Sequence, residues 1–326
     1  MIMRKFNKAL ISFLCVALSL VLALSFVGCS GKKQTEEDTK AATADEAETT
    51  YPVSTDDEAK AIGGLEAMGF DPATLGIEPN ITEDDNAVGF QLEKPQKGEN
   101  IAVLHTDYGD ITLRLFQKQA PKTVTNFVNL AKAGKYNNTT FHRVIKDFVI
   151  QGGHYGEDPN HPNGISSYGD EFEDEFCDKL YNIRGAVSMA NSAKDSNGSQ
   201  FFINQTTKDK FVNDGGWTKF DDVWKNIKTR LKSYKDSNLV KAFIDENGDK
   251  FINTAIIPEE VKSLYNENGG NPNLDGVFNA ADRGNTVFAQ VIDGMDVVDK
   301  IANVTVDDKD VPLENVVINS VEIKKY

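Results

Sequence analysis

The chain of 326 residues is poor in cysteine and histidine, with three of the first and four of the second. Cys15 and Cys29 lie close to the N-terminus, so Cys177 stands alone in the remainder. It has no partner for a disulfide framework, and no CxxC pair is available for a zinc cluster. A lone cysteine of this kind reads as a small buried apolar residue. Positive charge is also short: 35 Lys and Arg stand against 50 Asp and Glu, a formal net charge of −15. That balance excludes broad nucleic-acid binding, which needs clustered cations against phosphate. What remains is 40% hydrophobic, 9% aromatic and 26% charged residues. These are ordinary values for a soluble globular protein with a sizeable core. The length allows one large domain or two small ones.

The N-terminus reads as an export signal. Arg4, Lys5 and Lys8 precede an apolar run from Ala9 to Val27, and Gly28 and Cys29 follow before the chain turns strongly polar. Phe26-Val27-Gly28-Cys29 resembles the lipobox of bacterial lipoproteins, with Phe26 in place of the usual Leu. The resemblance implies removal of residues 1–28, a lipid on Cys29, and an extracytoplasmic protein anchored to a bacterial cell membrane. The alternatives are an uncleaved membrane anchor, since the run nearly spans a bilayer, and a plain secretory signal cut elsewhere. Residues 29–57 are rich in Thr, Ala, Glu, Asp and Lys and read as a disordered tether, too polar to offset the entropy of ordering. Residues 58–98, interrupted by Gly63, Gly64, Gly69, Pro72, Pro79 and Pro95, read as an irregular lead-in to a domain over 99–326.

In that domain Ile101, Val103 and His105, then Ile111, Leu113 and Leu115, alternate around Tyr108-Gly109-Asp110, the pattern of a β-hairpin. Pro121 opens a helix whose apolar positions are Val124, Phe127, Val128 and Ala131, with Gly134 just past its end. A second helix is expected over 295–302 and a last strand over 316–323.

Between these elements lie Phe141-His142-Arg143-Val144-Ile145, Phe148-Val149-Ile150-Gln151-Gly152-Gly153, GAVSMAN over 185–191, SNGSQFFI over 196–203, Leu274-Asp275-Gly276 and Thr286-Val287-Phe288. In this order they resemble the cyclophilin family of peptidyl-prolyl cis-trans isomerases, over about 100–205 and 270–326. The resemblance implies an all-β fold with helical caps: a closed eight-stranded antiparallel β-barrel, here with a helical insertion at about 206–269. It implies Arg143, Gln151 and Phe202 as catalytic residues. Phe148, Val149 and Leu274, with Phe202, would form the pocket for the proline ring. Ala190, Asn191 and Gln200 would hold the residues before proline, and Asn285 the substrate carbonyl side.

These residue types suit the reaction. Partial double-bond character opposes rotation of a peptide bond by ~18–20 kcal/mol. Catalysis needs no nucleophile, metal or cofactor, only a site that favours the twisted amide. A 10⁵-fold acceleration corresponds to about 7 kcal/mol of such preference. Twisting localises the lone pair on the proline nitrogen, and a guanidinium placed there can donate to it. Lys lacks the planar fork and is a poorer substitute.

Several positions depart from the family. Val149 replaces a common Met, and Asn273 stands where Trp often precedes LDG, which implies weak cyclosporin sensitivity. Asn285 replaces a His and follows an inserted stretch of about 277–283. Metal readings at His154 with His161, and at the run 245–249, fail on ligand spacing. In the large insertion Val223, Ile227, Leu231 and Tyr234 mark an amphipathic helix, and 258–265 suggests another. The stretch 219–241 holds seven basic and three acidic residues. It reads either as a solvated face or as a contact for anionic cell-wall polymer, lipid or client.

The function expected is isomerisation of X–Pro bonds in exported proteins folding outside the membrane, by a monomer held through its lipid. The alternatives are a Pro-peptide-binding chaperone module of the same fold with little turnover, and an adhesin or scaffold whose insertion is the working part.

Overall fold

The computed structural model describes residues 63–66, 68–156 and 161–326. The export signal, Cys29 and the tether lie outside the described residues. A short helix α1 (Gly63–Glu66) and strand β1 (Ile81–Thr82) precede the hairpin of β2 (Asn100–Thr106) and β3 (Gly109–Leu115). Helix α2 (Pro121–Lys132) follows, then β4 (Thr139–Thr140), β5 (Arg143–Ile145), β6 (Val149–Gly152), β7 (Phe176–Cys177), β8 (Ala186–Met189) and β9 (Phe201–Asn204). The insertion is helical: α3 (Lys208–Asn213), α4 (Gly216–Ser233), α5 (Ser237–Asn247) and α6 (Glu259–Asn268). Strand β10 (Val287–Asp293), helix α7 (Met295–Ala302) and strand β11 (Val317–Lys325) complete the chain.

Nine strands form one antiparallel sheet in the order β4-β11-β2-β3-β10-β8-β9-β6-β5, while β1 and β7 pair separately. This corrects the expected closed eight-stranded barrel. The sheet is curled but open, because among the described residues no ladder joins its ends β4 and β5. Those ends are consecutive in the chain, linked by Phe141 and His142. β4 pairs with β11 and β5 with β6. The covalent chain therefore crosses the seam where a hydrogen-bonded pair would otherwise close it.

Strand alternation sorts side chains between two faces. Val144, Ile150, Val187, Met189, Phe201 and Ile203 enter the main core with Phe127 of α2 and Ile301 of α7. Each such burial contributes about 1.5–3 kcal/mol. Val149 and Phe202, one position off, point to the other face and meet Ala190 there.

Residues of the lead-in are built into the domain. The buried Gln91 amide donates to the Tyr181 carbonyl and to Gln290 Oε1, both at 3.0 Å, and its oxygen accepts from Tyr181 N at 2.8 Å. Leu65 and Ile77 pack with Trp224, Ile227, Leu231 and Ile244 of the insertion. Helix α4 is the amphipathic helix expected, but its buried stripe is Phe220, Trp224, Ile227 and Leu231. Val223 and Tyr234 are partly buried against the same cluster as Trp224, Ile227 and Leu231. Helix α6 follows Pro258 as expected, whereas α3 and α5 carried no distinct signal. Cys177 is buried, and that burial pushes its thiol up to about 12, consistent with an inert apolar role.

Candidate functional site

The ladder registers build the site. Arg143 on β5 is paired with Gln151 on β6, Gln151 with Phe202 on β9, and Phe202 with Ser188 on β8. Directly paired residues share a face, so Arg143, Gln151 and Phe202 form one row across three strands on the side away from the main core. Exposure falls along it: the Arg143 side chain is 44% exposed, Gln151 is intermediate, and Phe202 is 6% exposed. The row runs from a solvated cation to an apolar floor.

That floor is a separate small cluster. Val149, Ala190 and Phe202 are buried together, and Phe148 and Leu274 pack against them. All five residues expected around the proline ring or beside it are thus brought together. They come from β6 and the turn before it, the end of β8, β9, and the loop before β10.

The polar side is held by amides. Gln151 Nε2 donates to Gln200 Oε1 at 2.9 Å. Gln200 Nε2 donates to the Pro162 carbonyl at 2.9 Å and meets His154 Nδ1 at 2.6 Å. The Ala190 amide donates to the Gln200 carbonyl at 3.0 Å, fixing the two beside each other. His154 is thereby occupied as a neighbour of Gln200. His142 lies outside the strand, its ring edge-on to His154 at 5.9 Å. Burial, then the neighbouring His154, hold its imidazole below the ordinary value. Arg143 Nε lies 3.8 Å from Asp310 Oδ2, both groups well exposed. A pair of that kind adds little stability, but it places a carboxylate behind the guanidinium.

Asn285 does something the sequence did not suggest. Its Nδ2 donates to the Met189 carbonyl at 2.9 Å and to Asn191 Oδ1 at 3.2 Å. Asn191 Nδ2 in turn donates to the Gly284 carbonyl at 2.8 Å and to Asp174 Oδ1 at 3.2 Å. Asn285 therefore braces Asn191. Asp174, buried beneath it, also accepts from Asn197 Nδ2 at 2.8 Å and from the Asp195 amide at 2.9 Å. Burial lifts its carboxyl to about 6, against these hydrogen bonds. Asp174 lies in the acidic run 171–175, where nothing in the sequence separates a buried anchor from a solvated charge.

The stretch 277–283 does not separate Leu274 from Asn285, because it loops out and returns. The Asn285 amide donates to the Leu274 carbonyl at 2.9 Å. Gly276 and Gly284 meet so closely that a Cβ on Gly284 would fall 2.4 Å from the Gly276 nitrogen. A cavity of about 540 Å³ opens here, lined by Arg143, Asn191, Leu274 and Asn285 on the sheet side. Asp245, Glu246 and Asp249 of the insertion line it as well. Their place on the wall could not be read from a run whose spacing only excluded a calcium loop.

An open antiparallel half-barrel thus carries on its outer face an apolar pocket, with the Arg143 guanidinium at the far end of the row that leads from it. Residues 101–323 match the family described as cyclophilin type peptidyl-prolyl cis-trans isomerase/CLD, and the chain belongs to that family. A proposed peptidyl-prolyl cis-trans isomerase of Staphylococcus aureus (strain COL) is 39% identical over 243 residues, covering 72% of this chain and 98% of the relative. A proposed bifunctional phosphatase/peptidyl-prolyl cis-trans isomerase of Streptococcus pyogenes serotype M6 is 39% identical over 228 residues, 68% of this chain and 38% of that relative. Among solved structures, a Cryptosporidium parvum cyclophilin type isomerase crystallised with the dipeptide Ala-Pro is 25% identical. It covers 69% of this chain and 98% of its own, with a TM-score of 0.43. The chain is a peptidyl-prolyl cis-trans isomerase of the cyclophilin type.

Proposed function

We propose that this isomerase turns X–Pro bonds of exported proteins at the outer face of a bacterial membrane, with Arg143, Gln151 and Phe202 as its catalytic residues. The observation that carries the site assignment is the row Arg143–Gln151–Phe202 above the Val149–Ala190–Phe202 floor. The proline ring enters that floor, bounded by Phe148 and Leu274. The chain before proline runs past Ala190, Asn191 and Gln200. Gln151 donates from its Nε2 to the substrate carbonyl, and Arg143 donates to the proline nitrogen as its lone pair localises. No bond is made or broken. The gain comes from a donor already in place where electron density develops. Asn285 acts by holding Asn191 and is a positioning residue.

The cellular half of the proposal is supported by residues 1–29, with a basic start, an apolar run and Cys29 directly after Gly28. The lipid anchor keeps the domain where exported chains emerge. Two measurements test the halves separately. The full chain should accelerate isomerisation of an X–Pro peptide, and Arg143→Ala should do so about 10²–10³-fold less. Equal rates for the two would remove the catalytic assignment. Cys29→Ser should release the protein from the membrane fraction and abolish lipid labelling. Retention with unchanged labelling would remove the anchor.

A further inference from the structure

A second cavity, of about 440 Å³, opens between helices α3 and α4 of the insertion and the β5–β6 turn. Its apolar surface comes from Phe211, Phe220 and Ile252, and Phe148 lines it as well. Phe148 also packs on the proline-pocket cluster, so this one residue borders both compartments. Asn273 lines both this cavity and the one beside Arg143. The second cavity therefore adjoins the candidate active site.

Its charge balance is more positive than that of the first. Lys146, Lys210, Lys219 and Lys250 border it, against Asp147 and Asp214. Lys210 and Asp214 pair with each other at 2.6 Å, one turn apart on the helix. Lys146, Lys219 and Lys250 are exposed, leaving a basic rim around an apolar floor. The first cavity instead balances Asp245, Glu246 and Asp249 of the insertion against Arg143, Lys194 and Arg283, with Lys194 paired to Asp282.

We infer that the second cavity is a substrate subsite for the residues following proline, and that it selects acidic side chains there. The inference rests on the proposed site, in which the chain before proline runs past Asn191. A chain leaving the pocket on the opposite side passes Phe148 and enters the 440 Å³ cavity. There Phe211, Phe220 and Ile252 take an apolar residue, and the three lysines take a neighbouring carboxylate. Exposed cations of this kind give modest, salt-sensitive preferences.

The test uses the full chain in neutral detergent and X–Pro peptides with Glu, Ala or Lys placed one to three residues after proline. A parallel set carries the same substitutions before proline. Both kcat/KM and equilibrium affinity are measured. Glu after proline should raise kcat/KM over Lys by about two- to fivefold, mainly through KM. The gain should shrink with added salt, and Glu before proline should give none. The triple variant Lys146→Gln, Lys219→Gln, Lys250→Gln should erase the preference and leave turnover of the Ala peptide unchanged. Turnover with no difference between Glu and Lys peptides in either readout overturns the subsite and leaves the isomerase site standing. Glu-selective affinity without turnover of any peptide keeps the subsite and overturns the catalytic assignment.

Discussion

Arg143 and Gln151 stand directly opposite each other on neighbouring antiparallel strands, so their side chains rise from the same face. Seven residues lie between them in sequence, and the ladder register makes them neighbours. A shift of one residue in that register would turn one of them into the core. The outer face of the sheet is therefore as strictly specified as the inner one, because the same alternation buries Val144 and Ile150.

Replacing Arg143 should damage catalysis far more than folding. Removal of a donor aimed at the developing charge typically lowers turnover by about 10²–10³-fold. An exposed residue with one long ion pair should shift stability by no more than about 0.5 kcal/mol. Arg143→Lys should recover only part of the rate, since an ammonium lacks the fixed fork. Protease-free kinetics beside denaturant melts would check both halves, and a large stability loss would contradict the geometry in Arg143's surroundings.

Asn285→Ala should act through Asn191. Two hydrogen bonds are lost, each contributing about 1 kcal/mol. A positioning role predicts a several-fold rise in KM with a smaller change in kcat, and partial rescue by Asn285→Gln would be unexpected for the longer side chain. A fall in kcat alone would instead place Asn285 at the reacting amide.

Asp275 should impose a pH dependence on stability. It is fully enclosed, accepting from the Asn182 amide at 2.7 Å, from Asn182 Nδ2 at 3.0 Å and from the Tyr265 hydroxyl. Burial outweighs these bonds and raises its carboxyl to about 7 from 3.8. The fold holds that proton more tightly than the unfolded chain does. Its contribution is fully present below about pH 4 and is lost as pH rises through 7. Asp275→Asn should flatten this component between pH 4 and 7, read from unfolding free energies across that range. Parallel curves for the two proteins would show that Asp275 titrates normally.

Leu231→Ala should loosen the insertion before the sheet. Leu231 is wholly buried among Trp224, Ile244 and Leu65, and such a truncation costs about 2–5 kcal/mol. Both tryptophans, Trp217 and Trp224, lie in the insertion. Tryptophan emission should therefore shift at lower denaturant than the circular dichroism of the sheet. Coincident transitions in the variant would mean that insertion and sheet unfold as one unit.

Much of the site was legible from one-dimensional order. Phe141 to Gly153, Gly185 to Asn191 and Ser196 to Ile203 carried the family resemblance and named Arg143, Gln151 and Phe202, because short strands keep their functional and core residues in fixed alternation. The helices α2 and α7 were legible for the same local reason, a cap or proline followed by apolar residues at helical spacing. The seam at Phe141 and His142 was not: whether a sheet closes depends on pairing between its two ends, which no local pattern encodes. The brace from Asn285 through Asn191 to Asp174 joins residues more than ninety positions apart. Its polar side chains look like surface residues until burial reveals them.

The sequence by itself determined the chemistry, since residue type at Arg143, Gln151, Val149 and Phe202 sets what the site can donate, hold and exclude. Only the tertiary structure decided the setting of that chemistry. Long-range packing brought the insertion beside the candidate site, with Asp245, Glu246 and Asp249 lining one cavity and Lys146, Lys219 and Lys250 the other. Charges on a helix carry no sign of what they will face, because that is fixed by which apolar stripe is buried and against which neighbour.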